Sequence, residues 1–344
     1  MKLAERFIGF AEIGKIPDFL IRMGIRNLCK KRLKSCCASD CEVVLEKNFK
    51  YLETSSNSDL APLPEKANSQ HYEVPAEFYK LTLGPRLKYS CSHFGEGIYS
   101  LEDAEISALK LTCLRARLAD GLEILELGCG WGSLTLWMAG QFPKSRIIAV
   151  SNSESQRRYI TRQAMEMGLE NVNVITCDIN EFDPGKNFDR IVSVEMFEHV
   201  RNHRELFRRL YNWLHPGGFI FSHVFCHRTA CYPFDGEDAE DWMSQHFFSG
   251  GTMPSDDLFL RICGNLEPVA QHRWSGTHYA RTAESWLSNL DLHKDEVIEL
   301  FTKSKPHEAN RMFHRWRMFF LACAETFNFK GGQEWWVSHY LFKK

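Results

Sequence analysis

The sequence predicts an α/β protein with a mostly parallel, doubly wound, Rossmann-like sheet. Two observations carry this prediction. From residue 121 onward, short apolar segments alternate with amphipathic segments, which is the pattern of strands joined by crossover helices. The first apolar segment, 123–127, runs into the glycine-rich turn 128–132, at the strand-to-helix position where such sheets bind a ligand.

The remaining elements follow from the same alternation. We expect strands at 123–127, 146–150, 172–177, 190–194 and 219–224. We expect helices at 133–141, 154–167 and 203–214. The C-terminal third is richer in Trp and Phe and less regular, and we expect it to complete the sheet and to add an inserted helical cap.

The first 52 residues or so are expected to be helical, with Ile21, Ile25 and Leu28 on one face. Basic side chains stand beside this face: Arg22, Arg26, Lys30, Lys31, Arg32 and Lys34. They belong either to the solvated face of a docking helix, which is the commoner case, or to a helix on an anionic membrane.

The segment 54–70 is polar and contains two prolines, so we expect a linker or a mobile lid. The chain therefore divides into an N-terminal helical extension with its linker, residues 1–70, and a larger domain, residues 71–344.

Composition excludes several classes of function. The formal net charge is -2, so no overall field attracts nucleic acid. The 12 cysteines form no C-x-x-C pair and follow no secretory leader, so we expect reduced thiols, a cytoplasmic location and no metal site. No apolar stretch approaches the ~20 residues of a membrane span.

The glycine-rich turn has the spacing G-x-G-x-G, with Gly128 and Gly130 at its first two positions. Dinucleotide sites have G-x-G-x-x-G, with an acidic residue after the second strand. Here that strand runs into Ser151-Asn152-Ser153 instead. This pattern argues against NAD.

Polar residues at the neighbouring strand ends favour S-adenosylmethionine (SAM). Glu126 precedes the glycine turn, where a carboxylate can meet the ammonium of a methionine moiety. Asp178 and Ile179 follow the third strand and offer an acidic group and an apolar cover for an adenine ring. The alternative is a glycine turn that merely packs a helix on the sheet.

The fourth strand runs into Glu195-Met196-Phe197-Glu198-His199, near the expected position of the reacting methyl group. A protonated amine must lose its proton before it attacks, and His or Glu can accept that proton. We expect a neighbouring carboxylate to favour the charged form of His199. The alternative is that His199 caps the next helix and that Glu195 is a solvated loop residue.

Taken together, these segments resemble the cyclopropane-fatty-acid-synthase superfamily of SAM-dependent methyltransferases, and most closely its coclaurine and pavine N-methyltransferase group. The likeness covers nearly the whole chain. It is carried by residues 16–18, 71–75, 87–91, 125–135, 151–156, 196–200, 225–227, 240–242, 250–254, 276–279 and 334–337.

The resemblance implies a class I SAM-dependent methyltransferase fold and a role for each matching position. The implied SAM contacts, with Glu126 added from the strand-end argument, are Ser90, Glu126, Gly128, Gly130, Asn152, Gln156, Asp178 and Ile179. Glu198 and His199 would position and deprotonate the acceptor amine, whose pocket Glu73, Glu195 and Tyr279 would line.

Lipid-modifying members of the superfamily hold bicarbonate as a base. Their four ligands match Cys91, Glu198, His223 and Tyr279 of this chain. Methylene or methyl transfer to unsaturated acyl chains is therefore the alternative to amine methylation.

We accordingly expect an enzyme that transfers a methyl group from SAM to the nitrogen of a small amine, aromatic or alkaloid-like, with no metal. A homodimer and a membrane contact through the basic helix are compatible with the sequence. A SAM-binding regulator without catalysis is a third alternative, against which Glu198 and His199 count.

Overall fold

The computed structural model describes residues 2–62, 74–235 and 242–344. Glu73 therefore lies outside the described residues, as do Glu240 and Asp241. The helices are α1 (Lys2–Ala11), α2 (Asp18–Ser35), α3 (Cys41–Ser55), α4 (Ala76–Thr82), α5 (Leu101–Arg115), α6 (Ser133–Gln141), α7 (Glu154–Glu166), α8 (His203–Trp213), α9 (Trp242–His246), α10 (Leu258–Ile262), α11 (Gly276–Leu292), α12 (Lys294–Ser304) and α13 (Ala309–Asn328).

The strands are β1 (Glu123–Leu127), β2 (Arg146–Ser151), β3 (Val172–Thr176), β4 (Phe188–Val194), β5 (Leu214–His227), β6 (Tyr232–Pro233), β7 (Thr252–Met253), β8 (Glu267–Trp274) and β9 (Trp335–Lys343). Seven of them form one sheet in the order β3-β2-β1-β4-β5-β9-β8. The first five are parallel, and β9 is antiparallel to both β5 and β8. The predicted doubly wound α/β fold is confirmed.

The strand order reverses between β1 and β4, because β2 and β3 lie on one side of β1 and β4 lies on the other. Parallel strands place their carboxyl ends at one edge of the sheet, and a crevice opens where the order reverses. The loops after β1, β2, β3 and β4 therefore meet at this crevice.

The fifth strand is longer than predicted. β5 begins at Leu214, directly after α8, and continues to His227, whereas we predicted 219–224. β5 pairs with β9 from Phe219↔Lys343 through to His227↔Trp335, and the extra residues at its carboxyl end, 225–227, extend this pairing. This pairing joins segments more than 100 residues apart, so local periodicity could not reveal it.

The N-terminal extension docks on the C-terminal cap. Cys29 of α2 is buried, and its Sγ lies 3.7 Å from Thr326 Oγ1 of α13. Arg22 and Arg26 both donate hydrogen bonds to the carboxylate of Glu325. The helix therefore docks on the cap, but Arg22 and Arg26 pair with a carboxylate of the cap, whereas the docking-helix alternative placed them on the solvated face.

No helix in the described part of the chain is long and apolar enough to cross a membrane. The described residues also contain no group of three or more His, Cys, Asp or Glu side chains that could hold a metal ion. All twelve cysteines are free thiols.

Candidate active site

The glycine turn after β1 leaves open space beside its backbone. Gly128 and Gly130 have φ values of +79° and +52°, in the left-handed region that favours glycine. A Cβ on Gly128 would lie 2.6 Å from Met196 Cβ, whereas a Cβ on Gly130 would have no atom within 4 Å. Gly130 therefore faces a cavity rather than packed side chains.

Two adjoining cavities share Gly128 and Gly130 as lining residues. The first also includes Asn152, Gln156, Asp178, Ile179, Met196 and His199, and the second Ser90, Glu126, Trp131 and Glu195. All eight residues predicted to contact the cofactor line one or both of these two cavities, which we together call the crevice.

Buried polar atoms in this crevice fit an elongated polar ligand. Gln156 accepts a 2.6 Å hydrogen bond from Ser151 Oγ, but its Nε2 is buried without a partner among the described residues. The Glu126 carboxylate accepts a 2.6 Å bond from Thr135. Burial raises the pKa of Glu126 to about 7, and a ligand ammonium beside it would lower that pKa.

The start of the predicted linker is ordered and covers the cavity. The Ala61 N–H donates to Asn180 Oδ1 at 3.0 Å, and Asn180 Nδ2 donates back to the Ala61 carbonyl at 2.9 Å. Leu60 is buried, and its carbonyl accepts from the Arg201 N–H. This part of segment 54–70 is therefore a strap over the crevice and no free linker; residues 63–70 lie outside the described residues. Sequence reasoning missed Asn180, although it directly follows Asp178 and Ile179.

Glu195 sits at the end of β4 with a φ of +50°, a conformation that costs a non-glycine residue free energy. Its side chain is 8% exposed. The carboxylate accepts hydrogen bonds from the Cys91 N–H (2.8 Å), from His223 Nε2 (3.1 Å) and from the Tyr279 hydroxyl (2.7 Å). The interpretation of Glu195 as a solvated loop residue is wrong.

The surroundings of Glu195 favour its charged form. Burial alone would raise its pKa, but the hydrogen bond from His223, the charge of Lys88 and the hydrogen bond from the Cys91 N–H outweigh burial and lower the pKa below its ordinary value. Lys88 is buried and donates to Ser90 Oγ and to the Cys91 carbonyl, each at 2.6 Å. The motif 87–91 contained this lysine, but nothing in the sequence indicated its burial.

Glu198 has the opposite character. It is fully buried, its Oε1 accepts from the Phe225 N–H at 2.7 Å, and its Oε2 has no partner among the described residues. Burial first, and then the charge of Glu195, raise its pKa well above the ordinary range. Two neighbouring carboxyl groups with pKa values pushed apart are typical of sites that bind or transfer protons.

His199 lines the crevice, and its ring stacks on Phe248 with 5.6 Å between ring centres and 10° between planes. Burial lowers its pKa to about 4, more than the charge of Glu195 raises it. The Glu195 carboxylate favours the charged imidazole, as expected, but burial outweighs this effect and keeps the ring neutral. The capping alternative is wrong, because Asn202 caps α8 by accepting from the Glu205 N–H.

Aromatic side chains form the wall beside these groups. Tyr279 stacks on Phe327 with 4.2 Å between ring centres, and Phe327 packs edge-on against Phe225. Phe225 in turn packs edge-on against Phe248. Aromatic faces next to a carboxylate form a suitable environment for an organic cation.

The predicted bicarbonate ligands are brought together only in part. Cys91, His223 and Tyr279 converge, but they surround the carboxylate of Glu195, and Glu198 binds the Phe225 N–H instead. A carboxylate and bicarbonate are both planar anions that accept hydrogen bonds. The anion position among these three donors is thus occupied by a side chain of the protein.

Comparison with known proteins extends the likeness over the full chain. Residues 63–335 match the family model described as mycolic acid cyclopropane synthetase. The chain is 36% identical to (S)-coclaurine N-methyltransferase of Thalictrum flavum subsp. glaucum, over 97% of this chain and 94% of that protein. It is 34% identical to (S)-coclaurine N-methyltransferase of Papaver somniferum, over 100% and 99% respectively. A crystal structure of coclaurine N-methyltransferase bound to N-methylheliamine and SAH superposes with a TM-score of 0.95, at 34% identity and with 98% and 99% of the two chains covered.

Proposed function

The chain belongs to the cyclopropane-synthase-like family of SAM-dependent methyltransferases, and we propose that it transfers a methyl group from SAM to the nitrogen of a small amine of the alkaloid type. It is a SAM-dependent methyltransferase, and SAM is its cofactor. Relatives at 34–36% identity over nearly the whole chain are named coclaurine N-methyltransferases. Their acceptor is the basis for the amine proposed here.

We assign the cofactor to the crevice beside Gly128 and Gly130. Bound there, SAM supplies an electrophilic methyl group. Gly130 allows close approach to the backbone, and Nε2 of Gln156, which has no partner in the described part of the chain, supplies a donor. Glu126 would pair with the ammonium, and Asp178 and Ile179 would hold the adenosine end.

The amine would bind between the aromatic wall and the acidic groups. Its cationic form is attracted by the Glu195 carboxylate and by the faces of Phe225 and Phe248. Glu198 Oε2 has no partner among the described residues and Glu198 has a raised pKa, so it can hydrogen-bond to the nitrogen as either donor or acceptor.

Deprotonation is assigned to His199. Its lowered pKa keeps the imidazole neutral at neutral pH, and a neutral imidazole can accept a proton. The Glu195 charge raises the proton affinity of that ring, and the stack on Phe248 fixes its orientation. Since methyl transfer needs little covalent assistance, positioning of the nitrogen and removal of its proton account for the role of these residues.

The observation that carries the choice of substrate is the position of Glu195. A bicarbonate-dependent reaction on acyl chains needs the space among Cys91, His223 and Tyr279 for its anion. The Glu195 carboxylate takes up the donors of that space. This argues against the lipid reaction and supports a fixed anion that attracts a cationic amine.

The test is to supply methyl-labelled SAM with a cyclic secondary amine such as tetrahydroisoquinoline, and in parallel with vesicles of unsaturated phospholipid. We expect label on the amine nitrogen and none in the extracted acyl chains. Label in the acyl chains with none in the amine would reverse the assignment. The cytoplasmic location expected from the thiols is proposed with it.

A further inference from the structure

Behind the Glu195 carboxylate, two imidazoles and a guanidinium form a line of hydrogen bonds. Nε2 of His223 lies 3.1 Å from Glu195 Oε1, and Nε2 of His339 lies 3.0 Å from His223 Nδ1. Nη1 of Arg115 lies 2.8 Å from His339 Nδ1. The middle link is set by sheet register, because His223 of β5 and His339 of β9 are direct partners. We call these four residues the Arg115 chain.

The direction of every bond in the Arg115 chain follows from its first member. An arginine side chain only donates hydrogen bonds, so His339 Nδ1 must accept. A neutral imidazole then carries its proton on Nε2, and His339 donates to His223 Nδ1. By the same argument His223 donates from Nε2 to the Glu195 carboxylate. All donors therefore point toward Glu195.

Both imidazoles are neutral in this arrangement. His339 and His223 are buried, with 0% and 1% of their surfaces exposed. Burial lowers the pKa of each and, for His223, outweighs the hydrogen bond and charge of Glu195, which raise it; for His339 the charge of Arg115 lowers the pKa further. His272 and Lys88 also face His339, and both act in the same direction.

Arg115 is half-buried, and burial lowers its pKa. Within the described ranges no carboxylate counteracts this lowering. Its guanidinium lies over the Trp274 ring, 5.6 Å from the ring centre. Glu195 stands at the opposite end of the line, where Lys88 is the other buried cation. The Arg115 chain is thus an ion pair whose two charges are joined through two neutral imidazoles.

We propose that Arg115 and His339 are positioning residues that hold His223 in its Nε2–H tautomer and thereby keep Glu195 a carboxylate that faces the amine. A proton on Glu195 Oε1 would clash with the Nε2–H of His223. Relieving this clash would require both imidazoles to change tautomer, from Nε2–H to Nδ1–H. In that tautomer, the Nδ1–H of His339 would point at the N–H groups of the Arg115 guanidinium. The remaining groups that face the carboxylate, Tyr279 and the Cys91 N–H, also donate to it.

The catalytic consequence rests on the proposed function, whereas the tautomers are a property of the protein alone. The first measurement is therefore the imidazole ¹⁵N spectrum of histidine-labelled wild-type protein without substrate. We expect His339 and His223 as neutral Nε2–H tautomers. A neutral His339 with its proton on Nδ1 would overturn the proposal, whatever the enzyme methylates.

The second measurement uses Arg115→Met, which removes the donor that fixes the direction. We expect a mixture of tautomers at His339, and we expect the acid limb of the kcat/KM profile for the amine to move about one unit to higher pH, a roughly tenfold loss along that limb. SAM affinity should not change. Arg115→Lys keeps a cationic donor and should restore part of the shift.

Arg190→Met is the matched control. Arg190 is also half-buried, lies over an aromatic ring (Phe219) and has a pKa lowered by burial, but it donates to backbone carbonyls. We expect its variant to lose stability without a shift of the acid limb. Equal shifts in both variants, or unchanged tautomers and an unchanged limb in Arg115→Met, would contradict the proposal. If Arg115→Met does not fold, the wild-type spectrum and Arg115→Lys still decide it.

Discussion

The Tyr279 hydroxyl donates a 2.7 Å hydrogen bond to Oε2 of Glu195, across 84 residues of sequence. The bond links the cap helix α11 to the end of β4. Because the Tyr279 ring stacks on Phe327, the same residue joins the anion of the site to its aromatic wall. Cap and sheet therefore build the site together.

The first prediction concerns the glycine turn. Gly130→Val places a branched side chain in the crevice and forces a β-branched residue to a φ of +52°. We expect SAM binding, measured by calorimetry, to fall below detection. Gly121→Val is the control, because Gly121 has a φ of +83° and open space around it but lies outside the crevice. Similar SAM affinity in both variants would show that SAM does not bind at this turn.

The second prediction concerns the strap. Asn180→Ala removes both hydrogen bonds to the Ala61 backbone. Leaving such groups unpaired costs about 1–3 kcal/mol, so we expect SAM to bind roughly 5- to 150-fold more weakly. Asn57→Ala, which removes an exposed bond on α3, should leave the affinity unchanged. An unaltered Kd in Asn180→Ala would mean that the strap does not contribute to cofactor binding.

The third prediction concerns His199. Loss of a positioned general base lowers kcat by roughly 100- to 10,000-fold, and we expect this for His199→Ala with nearly unchanged SAM affinity. The loss should shrink as pH rises, because the free amine then forms without assistance. A pH–rate profile of both proteins measures it. Wild-type kcat in His199→Ala at neutral pH would show that this imidazole is not the base.

The fourth prediction follows from the raised pKa of Glu198. Above about pH 4.5 the unfolded chain releases this proton, whereas the folded protein retains it until its higher pKa is reached, so this group destabilises the fold increasingly as pH rises. Glu198→Gln removes this effect. We expect the stability advantage of the variant over wild type, measured by urea unfolding, to grow from pH 5 to pH 8. A constant difference would mean that Glu198 is ionised in the folded protein.

Much of the fold was predictable because β1 to β4 and their helices follow local periodicity, which gave bounds within two residues for these strands. The β5–β9 pairing and the docking of α2 depend on contacts across the whole chain, and local patterns do not encode them. The cofactor residues were predictable for a related reason. They follow strands whose carboxyl ends meet at one edge.

The cage around Glu195 was not predictable from spacing. Cys91, His223 and Tyr279 were recognised as a set, but the sequence did not indicate which anion they bind. The answer is the carboxylate of Glu195, which has a φ of +50° and accepts hydrogen bonds from all three residues. The roles of Lys88, Arg115 and His339 could not be inferred from the sequence either, because isolated basic residues are usually solvated.

The central claim is that the Glu195 carboxylate serves as the built-in anion of an amine methyltransferase. Glu195→Gly tests it most directly, because glycine tolerates the +50° φ and leaves the three donors without their anion. We expect wild-type N-methylation to be indifferent to removal of bicarbonate, and we expect the variant to lose activity and to regain part of it with added bicarbonate or formate. Wild-type turnover that depends on bicarbonate, or a Glu195→Gly variant that methylates the amine at the wild-type rate without any added anion, would contradict the account.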